Sequence, residues 1–123
     1  VIDHVILNVT DIEAAKTFYL AALAPLRYAP AMEFPDGVGF AQEGGHGPDF
    51  WIARRGEASA PVHVAFSAPD RPTVDAFHAA ALAAGGTDHG APGLRPHYHE
   101  HYYGAFVLDP DGNNIEAVCH LPA

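Results

Sequence analysis

Polar and apolar positions alternate with a period of two from residue 4 to residue 9. Val5, Leu7 and Val9 fall on one face, and His4, Ile6 and Asn8 on the other. That is the pattern of a half-buried strand. At Thr10 the period changes. Ile12, Ala15, Phe18, Tyr19, Ala22 and Leu23 recur at helical spacing, with Thr10 and Glu13 as a capping box and Pro25 near the end. Extended pieces are then expected around Arg27–Met32, Gly37–Gln42 and Phe50–Arg54. They are separated by turn-forming runs such as Pro35-Asp36-Gly37 and Gly44-Gly45-His46-Gly47-Pro48.

The second half repeats this order. Val64 and Phe66 share one face of a strand over 62–67, and His63, Ala65 and Ser67 share the other. Asp70 is placed to cap a helix with Pro72 in its first turn, Val74, Phe77, Ala81 and Leu82 form its stripe, and Gly85-Gly86 ends it. Extended pieces follow at Thr87–His89, Tyr102–Leu108 and Asn114–His120, with a tight Asp109-Pro110-Asp111-Gly112 turn between the last two. An offset of 59 residues carries His4 onto His63, Phe18 onto Phe77, Ala22 onto Ala81 and Leu23 onto Leu82. The expected fold is α+β: two βαβββ modules, about 1–58 and 60–121, forming one domain with a cup-shaped mixed sheet and helices on its outer face.

Composition narrows the partners. A net charge of −9 disfavours nucleic acid and anionic membrane. The chain holds one cysteine, Cys119, which excludes an internal disulfide and fits a reducing, cytoplasmic setting. No apolar run is long enough for a membrane span, and no signal peptide is visible. Each half, near 60 residues, is too small to bury a comfortable core alone, so the halves are expected to share one.

The candidate chemistry lies on the face opposite the helices. Alternation along the last strand puts Glu116 there with Asn114 and Val118, while Ile115, Ala117 and Cys119 join the helix side. His4, His63 and Glu116 are then two imidazoles and a carboxylate, a donor set suited to Fe, Mn or Zn as a divalent ion with positions left open. Taken singly, each residue has an ordinary explanation as a surface or core polar group. The repeat, which places both histidines equivalently, is what argues for a site.

The chain resembles the vicinal oxygen chelate superfamily of glyoxalases, bleomycin-resistance proteins and extradiol dioxygenases. The resemblance rests on Asp3-His4-Val5 with Asp11 and Phe18-Tyr19, on His63-Val64-Ala65-Phe66, and on Phe106-Val107-Leu108-Asp109-Pro110-Asp111-Gly112-Asn113-Asn114-Ile115-Glu116. It implies a cup-shaped site with one divalent metal held by His4, His63 and Glu116. It also implies a homodimer, with the cup built within one chain or between two. Two departures matter. Where glyoxalase I-like members carry a second metal-binding glutamate, Trp51 or Ile52 stands here, and where extradiol dioxygenases carry a tyrosine, Phe106 stands.

The expected function is therefore a metal-dependent enzyme, dioxygenase-like or lyase/isomerase-like, acting on a small molecule that chelates through adjacent oxygens. His101 and Tyr102 are the acid–base candidates. Trp51, Phe106, Tyr102 and His97 are the candidates for lining the cup around substrate. The competing expectation is a binding protein of the bleomycin-resistance type, which sequesters a small molecule without chemistry.

Overall fold

A computed structural model describes residues 2–56 and 59–123. The expected module boundary near residue 58 lies outside the described residues. The first module runs β1 (Val5–Asn8), α1 (Ile12–Ala22), a 3-10 turn (Ala24–Leu26), β2 (Tyr28–Phe34), β3 (Gly37–Gln42) and β4 (Phe50–Ala53). The second runs β5 (His63–Ser67), α2 (Arg71–Ala83), β6 (Thr87–Leu94), β7 (Tyr103–Leu108) and β8 (Asn114–Cys119). Each module folds its strands into a four-stranded mixed sheet, in the orders β1-β4-β3-β2 and β5-β8-β7-β6. In each, the first and last strands are parallel and the others antiparallel.

The helix caps divide the polar residues differently from the expectation in one place. Asp11, not Thr10, caps α1 by accepting from the Ala14 amide. Thr10 is drawn instead to the second module, where its amide and hydroxyl both donate to the Asp111 carboxylate, the hydroxyl at 2.6 Å. Asp70 caps α2 as its position suggests, accepting from Thr73.

One continuous core joins the modules. It takes Leu7, Val9, Phe18, Phe50 and Ile52 from the first, and Phe66, Val74, Phe77, Ile115 and Cys119 from the second. The Phe50 and Phe66 rings meet edge-on at 5.1 Å, and Tyr28 meets Phe66 at 5.4 Å. The helices therefore pack against the inward faces of both sheets. The faces that carry His4 and His63 lie on the outside of the pair, each open.

A buried polar knot fastens the hairpin between β7 and β8. Asp109 accepts from the amides of Asp111 and Asn113, from the Asn113 side chain, and from the Tyr19 hydroxyl of α1 at 2.5 Å. Burial and the Asp109 charge together hold the Tyr19 hydroxyl well above its ordinary pKa, so it remains a donor. Asp109→Ala strands these donors in a dry interior. The expected loss is about 2–4 kcal/mol, read as a lower denaturant midpoint at unchanged slope.

Candidate functional site

The pairing of β5 with β8 sets the centre of the site. Ala65 stands opposite Glu116, and His63 opposite Asn114, so His63 and Glu116 point from neighbouring strands to one face. His63 Nε2 lies 2.8 Å from Glu116 Oε1. The Tyr102 hydroxyl donates to the other carboxylate oxygen, Oε2. Glu116 is 1% exposed, while half of the His63 side chain is open to solvent. A buried carboxylate is tolerable only when its oxygens are occupied, and here both are. Gly104 makes the arrangement possible, since a Cβ there would sit 3.1 Å from the Tyr102 ring and 3.3 Å from Glu116 Oε2.

Tyr102 is a donor by environment as well as by geometry. Burial, then the hydrogen bond to Glu116 and the negative charge of that carboxylate, raise its hydroxyl far above the ordinary phenol value. It therefore keeps its proton at neutral pH and fixes the orientation of Glu116.

His63 borders a mostly polar cavity of about 520 Å³, lined also by His89, Gly90, Arg95, Tyr98, Phe106 and Asn114, with Glu116 buried behind it. The Phe106 ring lies 5.9 Å from that of His63. Five of these residues, His89, Gly90, Arg95, Tyr98 and Asn114, are not among the sequence candidates. Gly90, Pro92 and Gly93 read locally as breakers, so the strand was expected to stop at His89. It instead continues to Leu94 by absorbing two register shifts against β7. The repeat holds the missing signal: the 59-residue offset maps β2, which also shifts register after Pro30, onto residues 87–93.

His97 and His101 lie in the segment between β6 and β7 and do not line this cavity. The His97 ring lies 4.2 Å from that of Tyr98, and His101 pairs with Glu100 at 3.0 Å. His99 bonds His120, Nε2 to Nδ1, at 2.5 Å, and both rings pack edge-on against Tyr102.

The first module has its own open face. Ile6 stands opposite Trp51 in the β1–β4 pairing, as Ala65 stands opposite Glu116 in the other module. Trp51 therefore occupies the place equivalent to Glu116, and Ile52 is a fully buried core residue. The Trp51 ring stacks on Phe34 at 6.3 Å and overlies Gly39, whose absent Cβ would come within 2.7 Å of the ring. With His4, Ile6, Met32 and Arg55, the Trp51 and Phe34 side chains line a largely apolar cavity of about 750 Å³. Gly39→Ala is expected to lift the ring off the sheet. Because Trp51 is the only tryptophan, a shift in its emission maximum reads the change directly, and an unchanged spectrum would contradict the packing.

His4 belongs to this face and not to the His63–Glu116 pair. Its Nδ1 lies 2.7 Å from the Asp3 carboxylate. An imidazole nitrogen and a carboxylate oxygen 2.8 Å apart suit a divalent ion in chemistry. Within one chain, however, no third donor joins them: among the described residues no group of three His, Cys, Asp or Glu is placed to hold a metal. The physical reason is the shared core, which puts the two histidine-bearing faces on opposite modules with the helices between the sheets.

Comparison with known proteins agrees with this architecture. A family model described as the Glyoxalase/Bleomycin resistance protein/Dioxygenase superfamily matches residues 1–117. The crystal structure of a glyoxalase/bleomycin resistance protein from Albidiferax ferrireducens is 31% identical, with a TM-score of 0.83 over 97% of this chain and 98% of that one. A glyoxalase/bleomycin resistance protein/dioxygenase family enzyme from Burkholderia phytofirmans is 22% identical, with a TM-score of 0.76 over 98% of both chains. A lactoylglutathione lyase from Agrobacterium tumefaciens is 19% identical, with a TM-score of 0.71 over 97% and 92%. At the last two identities the likeness is one of fold. No curated protein matches the chain.

Proposed function

Because the chain belongs to the glyoxalase/bleomycin resistance/dioxygenase superfamily, we propose that it is a metal-dependent enzyme acting on a small substrate that chelates through adjacent oxygens. The observation that carries this reading is the pairing of His63, which lines a polar cavity, with the buried Glu116 carboxylate, which Tyr102 orients. His63, Glu116 and His4 would hold one divalent ion, Fe, Mn or Zn. Such an ion, when bound, polarises a substrate oxygen and stabilises negative charge developing on it. The chain's own groups do the rest. Tyr102 fixes the carboxylate, Phe106 shields one side of the cavity from water, and the half-exposed His63 remains reachable by substrate.

The three donors sit on two faces, so the reading requires two chains. We propose a homodimer in which the first-module face of one copy covers the second-module face of the other. That pairing would bury Ile6, Met32 and Phe34, which are 39%, 46% and 57% exposed in the single chain. It would also bring His4 of one copy to His63 and Glu116 of the other, and Trp51 to the wall of the same cup.

The purified protein is expected to hold about one divalent ion per chain, measured by elemental analysis after growth in medium containing iron, manganese and zinc. The apolar cavity around Trp51 and Phe34 favours a second reading, sequestration of a flat aromatic molecule without chemistry. A protein free of metal under those conditions, whose Trp51 emission nonetheless responds saturably to an aromatic ligand, selects this second reading.

A further inference from the structure

Arg95 is the cation of the second-module cavity, and its side chain is held in place from three sides. Its guanidinium carbon lies 5.6 Å from the centroid of the Phe106 ring, and Nη2 donates to the Ala91 carbonyl at 2.8 Å. Below it, β6 is bare of side chains where the guanidinium passes. A Cβ at Gly90 would lie 3.3 Å from Nη2 and 2.9 Å from Phe106, and one at Gly93 would lie 3.1 Å from Nη1. A guanidinium carries five N–H donors, and among the described residues its one hydrogen-bond partner, the Ala91 carbonyl, leaves most of them unassigned.

Three of the other five cations are spent on carboxylates: Lys16 pairs with Glu33, Arg27 with Glu43 and Arg54 with Asp36. Arg71 lies over the Tyr103 ring, and Arg55 lines the first-module cavity, so Arg95 is the Lys or Arg among the described residues that borders the His63 cavity. Arg95 has no carboxylate within ion-pair distance among the described residues, although Asp and Glu outnumber Lys and Arg by 15 to 6. A half-buried arginine fixed in place and facing a cavity without a counter-charge is a receptor for one. With Phe106 against one face of the guanidinium and the glycine backbone nearby, its edge is what remains. The edge of a guanidinium matches two coplanar oxygens, which is the geometry of a carboxylate.

We propose that Arg95 forms an anion subsite beside the His63–Glu116 pair, and that the substrate carries a carboxylate in addition to its chelating oxygens. The carboxylate would sit between Arg95 and the rim residues His89 and Tyr98. The inference rests on the preceding functional reading for the site it adjoins, but not for the binding of the anion itself.

The test uses benzoate, which has the carboxylate and lacks a pair of chelating oxygens beside it on the ring, with benzamide as its uncharged counterpart and inorganic phosphate as a non-planar anion. Binding is followed by the Arg95 Nε–Hε signal in nitrogen-15 NMR and by calorimetry. Benzoate is expected to shift that signal saturably and to bind more tightly than either benzamide or phosphate. Arg95→Gln should weaken benzoate by about tenfold or more and leave benzamide unchanged. Arg95→Lys should recover part of the loss, and Gly93→Ala, which keeps the charge but displaces the guanidinium, should weaken benzoate without unfolding the chain. Equal benzoate binding by wild type and Arg95→Gln overturns the subsite, as does the absence of any benzoate-dependent shift. Phosphate binding as tightly as benzoate overturns the carboxylate assignment. Metal content, measured on the same samples, separates the two ideas: benzoate bound by a protein that takes no metal leaves the subsite standing and removes the metal reading, and the converse result removes the subsite alone.

Discussion

Replacing His63 by alanine is expected to abolish binding of the proposed metal, while Tyr102→Phe is expected to weaken it without abolishing it. The two variants differ because the side chains act at different removes. His63 offers a nitrogen directly beside Glu116 Oε1, so its loss leaves the second module with one donor. Tyr102 touches only the far carboxylate oxygen, and loss of an orienting partner of this kind typically costs 10–100-fold in metal affinity. Glu116→Gln belongs with His63→Ala, since it keeps the volume and the buried position but removes the anionic oxygen. None of the three should unfold the chain. His63 is half open to solvent, Tyr102→Phe keeps the ring, and the amide at 116 can still bond to both neighbours. Metal per chain after dialysis, with circular dichroism to confirm the fold, reads all three. Full occupancy in His63→Ala would remove the proposed donor set.

The parts of this molecule that were legible in the sequence are those set by local periodicity. Both first strands, both helices and the Asp109–Gly112 turn follow from alternation, helical spacing and turn chemistry, and they fall where expected within a residue or two. The facing of Glu116 with His63 was legible as well, because alternation along β8 counts faces directly. The capping of α1 was not. Thr10 and Asp11 are both good caps, and the choice is made by Asp111, a hundred residues away, which takes Thr10.

The extent of β6 failed for a related reason. Glycine and proline at positions 90, 92 and 93 signal a break when read locally, yet they serve to bring backbone and Phe106 close to the Arg95 guanidinium. Local rules see the cost of these residues and not the contact that offsets it. Read so, His89 falls in a glycine-rich turn and Tyr98 in a rim loop, and neither they nor Arg95 stand out as cavity residues. The repeat itself is in register only through β6. The segment from 95 to 102 then intervenes, so that Trp51, 65 residues before Glu116 rather than 59, takes its place. Once strand pairing fixes that equivalence, the asymmetry is plain: one module presents a carboxylate, the other an indole ring over Gly39.

How the modules face each other was beyond the sequence, because alternation shows which residues share a face and not which face meets which. This geometry makes a sharp test possible. If His4 of one copy completes the site of the other, then His4→Ala and His63→Ala chains are each expected to lose metal alone and to regain it when mixed. In a mixed dimer both substitutions fall in one cup, because the His4→Ala chain lends its first module to the site whose second module carries His63→Ala. The other cup receives intact His4 and an intact His63–Glu116 pair. Random reassociation makes about half of the dimers mixed, each with one good site of two, so about a quarter of the wild-type metal content should return. A site built within one chain gives none, since every chain in the mixture lacks a donor. Ile6→Glu supplies the control on the same interface. A carboxylate placed on the exposed apolar face beside Trp51 should dissociate the dimer, seen by light scattering as a halved mass, and abolish metal retention although all three donors remain. A monomeric wild-type protein that holds its metal, or an Ile6→Glu monomer that does, would show that the donors meet without a second chain.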